Sequence, residues 1–313
     1  MMTMSVGGIR IMSNLGGPHS QYGNLLCEET RFGEYELGLL MTRVSEDPGC
    51  DVAVFHAVPE TSLLSRLLPC GSKVASCRDT SSVLDLSAFE DSESYLRHLG
   101  TARKRNRSRR RNRLARIGPI DFSIIWPDDP RFADLVRRCV AMKREWLSRT
   151  GRYSTGFSIA RYDDFLAGLT GNEATLTGAC LSVLTAGETI VAIELGFLRD
   201  RHYYSYIQSC DWELRALSPG KVLMDMHVRW LIDSGVAAYD LLGNPAEYKQ
   251  SWSNRVVNLN LHTLPFSWRG RIYARTWLPL LKPAVKRAYN SIPEVLRRLI
   301  APAQNFGLLL LYV

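Results

Sequence analysis

Residues 202–234 read HYYSYIQSCDWELRALSPGKVLMDMHVRWLIDS and hold the most informative pattern of this chain. The aromatic-rich segment His202–Cys210 predicts a strand. Lys221–Ser234 has apolar residues at helical spacing and therefore predicts a helix, which Gly235 ends. Between the two lies the turn Ser218-Pro219-Gly220, where Ser218 is placed to cap the helix and Pro219 falls in its first turn.

A strand that turns directly into a helix brings free backbone N–H groups and the positive end of the helix to one point. Such a point binds phosphate or pyrophosphate. Gly220 lets a ligand approach the backbone, and Lys221 adds a positive charge. An ordinary capped helix start is the alternative interpretation of the same turn.

The flanking segments predict a mixed α/β order of helix, helix, three strands, helix, strand, loop and strand. Upstream lie a helix that begins at Ser92, a strand at Phe122–Trp126, a helix at 130–149 and another at Tyr162–Leu169. The predicted strands are Cys180–Thr185, Thr189–Leu198, His202–Cys210, Ala237–Leu242 and Val256–Leu264. We expect the helix from Ser92 to continue through a basic run and to end at Gly118-Pro119.

Positive charge is concentrated in two segments of the chain. Residues 97–116 carry ten Lys or Arg and no acid, and residues 267–313 carry eight Lys or Arg with one acid. These segments contribute +10 and +7, so a net charge of +8 leaves 8 − 17 = −9 for the remainder. An acidic body with two basic segments is unlike a histone or a ribosomal protein, which is basic throughout.

Several classes of site lack their motifs. Arg215 replaces the first glycine of a Walker A loop, and Val222 follows Lys221 where Ser or Thr is required. Ser218-Pro219-Gly220-Lys221 matches S-x-x-K without its companion motifs. The sequence contains neither G-x-G-x-x-G after a strand nor G-x-S-x-G. Seven cysteines without C-x-x-C, and histidines without H-x-x-x-H, give no support to a metal site. We expect no signal peptide, no transmembrane segment and a reduced, cytoplasmic protein.

The chain resembles a family of acyltransferases. Tyr206, Asp211, Ser218-Pro219-Gly220, Asp240 and Tyr248-Lys249 with Trp252 are similar to the GNAT-type acyltransferases of the CelD/BcsL group, whose domain is called BioF2-like. The run Arg103–Arg113 resembles the basic helix that opens this family's domain. The similarity covers roughly residues 90–265, and the late Tyr-Lys pair is also similar to the Fem-type aminoacyl transferases.

This resemblance implies an α/β fold with a GNAT-like mixed sheet flanked by helices. The implied domains are a shortened GNAT-like N-terminal lobe at 1–88, a GNAT-type acyltransferase domain at 89–266 and a basic amphipathic tail at 267–313. The shortness of the first lobe leads us to expect that the ancestral protein began further upstream.

The implied reaction moves an acyl group, such as acetyl, from acyl-CoA as co-substrate to an amine or hydroxyl acceptor, without a metal. The acceptor would be a small molecule or a glycan, in polysaccharide or envelope synthesis by family analogy. The pyrophosphate of CoA would lie against five residues: Leu217, Ser218, Pro219, Gly220 and Lys221. Two alternatives stay open: a Fem-like transferase that uses aminoacyl-tRNA, and a non-catalytic module that binds nucleic acid or membrane through residues 97–116.

Five residues are candidates for the chemistry. Glu194, on an otherwise apolar strand, is a candidate base, unless it points to solvent. Tyr206 could protonate the leaving thiolate or belong to the core. Asp240 ends a buried strand, where it serves the site or caps the next loop. Tyr248 could orient the acyl group, and Lys249 could hold an anion or face solvent. We interpret His227 as packing or surface.

Two basic segments imply further partners. Like charges along Arg103–Arg113 repel each other, so we expect an anion against this helix. Acidic groups of the protein itself are the alternative partner. The basic tail could make a peripheral membrane contact.

Overall fold

The computed structural model describes residues 2–16, 19–26, 36, 38, 39, 42, 43, 49–152, 154–243 and 246–292. Its strands are β1 (Met2–Val6), β2 (Ile9–Ser13), β3 (Val52–Pro59), β4 (Lys73–Asp85), β5 (Ile120–Ile125), β6 (Gly171–Asn172), β7 (Thr177–Ala186), β8 (Thr189–Arg199), β9 (His202–Cys210), β10 (Ala238–Asp240) and β11 (Arg255–Pro265). The helices discussed below are α1 (Leu63–Leu67), α2 (Ser92–His98), α3 (Thr101–Leu114), α4 (Phe132–Thr150), α5 (Thr155–Ser158), α6 (Tyr162–Ala167), α7 (Pro219–Asp233), α8 (Glu247–Trp252), α9 (Trp268–Ile272) and α10 (Lys282–Ser291).

The chain divides into two compact units. The first comprises residues 1–81, 243–245 and 256–313, and the second comprises 82–242 and 246–255. The domain bounds 1–88, 89–266 and 267–313 stay a prediction. Most of β11, which the sequence assigned to the acyltransferase domain, lies in the first unit.

In the first unit, β1 and β2 form an antiparallel hairpin, β2 pairs with β3 in parallel, and β3 pairs with β11 antiparallel. Apolar side chains of β3 are buried on both faces of this sheet, with Phe55 against Leu64 of α1 and Val54 against Tyr273 and Leu278. The sequence predicted short pieces in the tail because of its prolines. Residues 268–291 instead continue from α9 through a π-helical segment into α10, with Pro279 inside the π-helical segment. The rest of the tail lies outside the described residues.

The second unit is built on a mixed sheet. Its strand order is the C-terminal end of β4 (residues 82–85), β10, β9, β8, β7, β5, in which β10 and β9 are parallel and the other neighbours are antiparallel. Helices α2, α3 and α7 lie on one face, and α4 and α6 lie on the other. Every strand and helix that the sequence predicted here is present, which confirms the α/β prediction.

One boundary was wrong. The helix from Ser92 does not continue into the basic run, because Leu99 is extended and its N–H closes α2 on the Tyr95 carbonyl. Gly100 then begins α3 as its N-cap. The Gly118-Pro119 stop follows the end of α3 at Leu114, after three residues in turns.

Candidate active site

Glu194 lies at the centre of the second unit and is fully buried. It stands on β8 directly opposite Ser182 of β7 and Gln208 of β9, on the sheet face that α7 covers. The alternative that strand alternation points this carboxylate to solvent is therefore wrong. Helices pack on both faces of β8, so both faces are buried. Successive side chains of this strand point to opposite faces of the sheet, and neither face is exposed to water.

Hydrogen bonds satisfy both oxygens of this carboxylate. The hydroxyl of Tyr239 lies 3.0 Å from Oε1 and 2.9 Å from Oε2, and Nε2 of Gln208 donates to Oε2 at 3.0 Å. Burying a carboxylate without such partners would cost several kcal/mol or more. We call Glu194, Gln208, His227 and Tyr239 the buried carboxylate cluster.

The sequence singled out Glu194 alone in this cluster, and His227 is one of the three members that it did not mark as site residues. Its ring is fully buried, and Nδ1 lies 3.4 Å from Oε1 of Glu194. Neither ring nitrogen makes a hydrogen bond within the described residues. The ring packs edge-on against Tyr203, with centroids 4.5 Å apart. The position of His227 among Met224, Met226 and Val228 in the sequence indicated a packing role. Only the position of Glu194 on the facing strand marks His227 as a candidate site residue.

Three tyrosines lie around Glu194: Tyr239, which belongs to the cluster, and Tyr203 and Tyr248. Burial and the negative charge of Glu194 raise the pKa values of Tyr203 and Tyr239 well above their usual value. The same two causes raise the pKa of Tyr248 to about 12, although 37% of this residue is exposed. All three hydroxyls therefore stay protonated near neutral pH. Tyr248 is the member of the set that reaches solvent.

The strand beside the cluster has an unpaired edge. β9 pairs with β10 only from His202 to Tyr204, and its remaining residues 205–210 pair with β8 alone among the described strands. The register of β9 shifts between Ser205 and Ile207, which makes Tyr206 the extra residue of a β-bulge. Gly196 is required opposite this bulge, since a Cβ there would lie 2.2 Å from the Tyr203 ring.

The turn before α7 lies at the far end of that edge. Ser218 is the N-cap residue, but it adopts a left-handed conformation (φ +58°) and its side chain makes no capping hydrogen bond, so the predicted side-chain cap is wrong. The N–H groups of Lys221 and Val222 return to the Ser218 carbonyl, and Pro219 has none. Nε2 of Gln208 contacts the Gly220 carbonyl at 3.4 Å, which joins this turn to the buried carboxylate cluster.

Asp240 and Lys249 both act on the loop that follows β10. Oδ1 of the buried Asp240 accepts a hydrogen bond from Leu242 N at 2.8 Å, which is the capping contact that the sequence allowed. Nζ of Lys249 donates to the carbonyl oxygens of Leu241, at 2.7 Å, and Leu242, at 3.2 Å. Leu242 has φ +58°, so these contacts hold a backbone conformation that side-chain-bearing residues rarely adopt.

Tyr206 lies on the other face of the sheet from Glu194. Its hydroxyl is 2.7 Å from that of Tyr162 on α6, and its ring packs against Phe197. Burial raises the pKa of Tyr206. Of the five candidates, Glu194 and Tyr248 interact electrostatically, Asp240 and Lys249 share the loop after β10, and Tyr206 is apart from both pairs.

One arginine of the basic helix is fully engaged. The guanidinium of Arg107 forms an ion pair with the buried Asp225 of α7, bonds the Tyr95 hydroxyl at 2.7 Å and lies 4.3 Å from the Trp252 ring centroid. Asp225 also pairs with Arg229. The interpretation that acidic groups of the protein balance α3 therefore holds for Arg107, whereas Arg103, Lys104, Arg105 and Arg109 are exposed.

Among the described residues, no three His, Cys, Asp or Glu side chains are grouped so that they could hold a metal ion. No helix in that part of the chain is long and apolar enough to cross a membrane.

The chain is similar to known proteins in sequence pattern and in fold. Residues 101–250 match the family model of the acetyltransferase (GNAT) domain. No curated protein matches the chain. The fold is similar to the C-terminal domain of a protein described as a lysylphosphatidylglycerol synthetase from Agrobacterium fabrum, with 13% identity over 87% of this chain and 82% of that one and a TM-score of 0.57.

Two other solved structures show the same fold. The structure of L-PGS from Bacillus licheniformis has 14% identity and a TM-score of 0.54, and FemX has 9% identity and a TM-score of 0.53. Each match covers 87% of this chain and 84% of the other. The fold of this chain is therefore GNAT-like, and residues 101–250 carry the sequence pattern of the acetyltransferase domain.

Proposed function

We propose that this protein transfers an acyl group, most simply acetyl, from acyl-CoA to an amine or hydroxyl acceptor. The observation that carries the proposal is the unpaired edge of β9 between the buried carboxylate cluster and the turn before α7. An extended chain with amide groups can add to such an edge through backbone hydrogen bonds, as a peptide adds to a sheet. The pantetheine arm of CoA is an extended chain with two amides.

The position of the pantetheine arm would determine where acyl transfer takes place. With its phosphates toward Leu217–Lys221, the thioester would reach the bulged part of β9 near Ser205 and Tyr206. A backbone N–H of this unpaired segment would donate to the carbonyl oxygen as negative charge develops on it. The fixed strand supplies this donor without rearrangement at the moment of reaction.

Glu194 acts as the proton acceptor in this proposal. Since it is fully buried, the proton would reach it from the acceptor's nucleophile through a hydroxyl, and Tyr239 already donates to both of its oxygens. The partly exposed Tyr248 would stand at the acceptor's side and orient the acyl group. Asp240 and Lys249 would position the acceptor by fixing the loop after β10, and His227 would orient Glu194.

In this proposal, Tyr206 donates a proton to the leaving CoA thiolate. As the new C–N or C–O bond forms, the C–S bond breaks and the CoA thiolate needs a proton to leave as a thiol. The hydroxyl of Tyr206 is protonated near neutral pH; burial raises its pKa, and the hydrogen bond with Tyr162 acts in the opposite direction.

Thermal unfolding in the presence of acetyl-CoA tests the proposal. A ligand that binds only the folded protein at 100 times its Kd stabilises it by about 2.7 kcal/mol. We expect acetyl-CoA or a longer acyl-CoA to raise Tm, and ATP at the same concentration to have a smaller effect. If no acyl-CoA raises Tm at millimolar concentration, the acyl-CoA proposal is wrong.

A Fem-like transferase that uses aminoacyl-tRNA is the second candidate. The exposed arginines of α3 favour it, because phosphates of RNA would neutralise them. The dependence of binding affinity on salt concentration distinguishes these candidate functions. It also distinguishes the non-catalytic module that binds nucleic acid or membrane through residues 97–116. Affinity for RNA should fall steeply between 50 and 200 mM salt, on the order of 10³-fold or more for six to ten phosphate contacts, and affinity for acyl-CoA in a groove should fall much less.

A further inference from the structure

The second unit contains a cavity that the proposed chemistry does not use. It has a volume of about 250 Å³ and opens between α2, α3, the first turn of α7 and residues 251–254. Small-molecule sites commonly have volumes of about 300–1,000 Å³. The cavity therefore has room for part of a nucleotide-sized ligand rather than for all of one.

Positive charge converges on this cavity. Arg103, Arg107 and Arg110 line it from one face of α3, at positions i, i+4 and i+7, and Lys221 lines it from α7. No Asp or Glu is among the described residues that line it. Within the described part of the chain, Arg103, Arg110 and Lys221 form no ion pair.

Arg107 gives the cavity a rigid wall. Its ion pair with Asp225, its bond to Tyr95 and its stacking on Trp252 fix the guanidinium from three sides. The two remaining arginines and Lys221 are the groups free to meet a ligand. Arg is well suited to phosphate, because its planar N–H groups match two phosphate oxygens at once.

The turn before α7 has few free backbone N–H groups, so side chains are needed to bind a phosphate beside it. Lys221 N and Val222 N already bond to Ser218 O, and Pro219 has no N–H, so the first helical turn offers few free donors to a phosphate. Lys221 belongs both to this turn and to the cavity wall. A phosphate bound in the cavity would therefore lie beside the turn against which the donor's phosphates were placed.

We propose that this cavity binds a phosphate ester at the nucleotide end of the acyl donor, with Arg103, Arg110 and Lys221 as its ligands. This inference rests on the proposed function for its ligand. Two acyl donors carry such a phosphate ester at a nucleotide end. CoA ends in a 3′-phosphorylated adenosine diphosphate, and an aminoacyl-tRNA ends in a cytidine-cytidine-adenosine sequence.

Calorimetric titration with two probes tests the inference on the full chain. Adenosine 3′,5′-bisphosphate represents the end of CoA, and the trinucleotide CCA represents the end of tRNA. The cavity variant is Arg103→Gln/Arg110→Gln. Its matched control is Arg105→Gln/Arg109→Gln, which removes equal charge from exposed positions of the same helix that do not line the cavity.

We expect one probe to bind, with an affinity that falls at least tenfold in the cavity variant and less than twofold in the control. The probe that binds identifies the source. Binding of neither probe, or an equal loss in both variants, overturns the inference.

Failure of the inference is distinguishable from failure of the proposed function. If acetyl-CoA stabilises the wild type and the cavity variant equally, the cavity proposal is wrong and the acyl-CoA proposal stands. If a probe binds through the cavity while no acyl-CoA raises Tm, the phosphate site stands and the acyl-CoA proposal is wrong.

Discussion

At the scale of single residues, Glu194 is the position on which the proposed chemistry depends. A fully buried carboxylate with three close polar partners is costly to assemble, and the surrounding aromatic rings make its environment less polar still. Its burial and its specific partners make Glu194 a candidate for the functional site.

Glu194→Gln tests this role directly. We expect kcat to fall by about 10²- to 10⁴-fold, which is the usual worth of a general base. The amide is similar in size, so the protein should remain folded by circular dichroism. Glu188→Gln, the same change in the exposed turn between β7 and β8, is the matched control and should leave kcat unchanged. Equal activity of the two variants would contradict the role.

Tyr206→Phe tests the proton donor. Loss of the hydroxyl should lower kcat while leaving KM for the acyl donor within about twofold, since the ring and its packing remain. Tyr162→Phe is the comparison, because it removes the hydrogen-bond partner without removing the donor. A Tyr162→Phe variant that is as impaired as Tyr206→Phe would assign the hydroxyl pair a structural role instead.

At the scale of secondary-structure elements, Arg107 ties α3 to α7. Breaking a buried ion pair by removing one partner costs about 3–5 kcal/mol, because the other charge is left buried. Arg229 still pairs with Asp225 when Arg107 is removed, so we expect Arg107→Ala to lower the free energy of unfolding in urea by at most this amount. The exposed Arg105→Ala on the same helix should change it by less than about 0.5 kcal/mol. Similar values for both would mean that α3 is held by its apolar residues alone.

Lys249 stabilises the loop after β10 by hydrogen bonds to its backbone. Hydrogen bonds from a charged donor are worth about 1.5–3 kcal/mol. Lys249→Met keeps the aliphatic part of the side chain and removes both bonds to Leu241 and Leu242, so it should destabilise the protein by about 1–3 kcal/mol. Gln250→Met, at the neighbouring exposed position, should be neutral. A neutral Lys249→Met variant would show that the left-handed Leu242 needs no such support.

The elements of the second unit could be predicted because their periodicity is local. The stripe of α4, the hairpin of β7 and β8, and the Pro-Gly start of α7 are all visible in a few consecutive residues. The break at Leu99 and Gly100 could not be predicted, because helical spacing of Tyr95, Leu96 and Leu99 continues up to it.

The candidate site could be predicted only in part. Glu194 stood out because it is charged within an apolar strand, but its burial depends on a helix from elsewhere in the chain. His227 and Tyr239 showed no local signal at all, since each has an ordinary place on α7 or β10. Their role depends on the strand order, which brings both to Glu194.

At the scale of the whole molecule, the net charge of +8 conceals an acidic remainder of −9 with two basic segments. Part of the positive charge in 97–116 is balanced within the protein, as Arg107 shows, and part of it lines a cavity. The total charge therefore says little about function, whereas the place of each charge is informative. The three proposed phosphate ligands of this cavity, Arg103, Arg110 and Lys221, all belong to the second unit.

Titration of acetyl-CoA by calorimetry, into the wild type and two variants of Gly220, tests the central claim most directly. A Cβ at Gly220 meets only Gln208, at 3.8 Å, so both substitutions should fold. We predict that acetyl-CoA binds the wild type, that Gly220→Gln weakens binding modestly, and that Gly220→Glu weakens it at least tenfold more, since its charge repels the phosphates. Absence of binding to the wild type, or equal affinity of the two variants, would contradict the account.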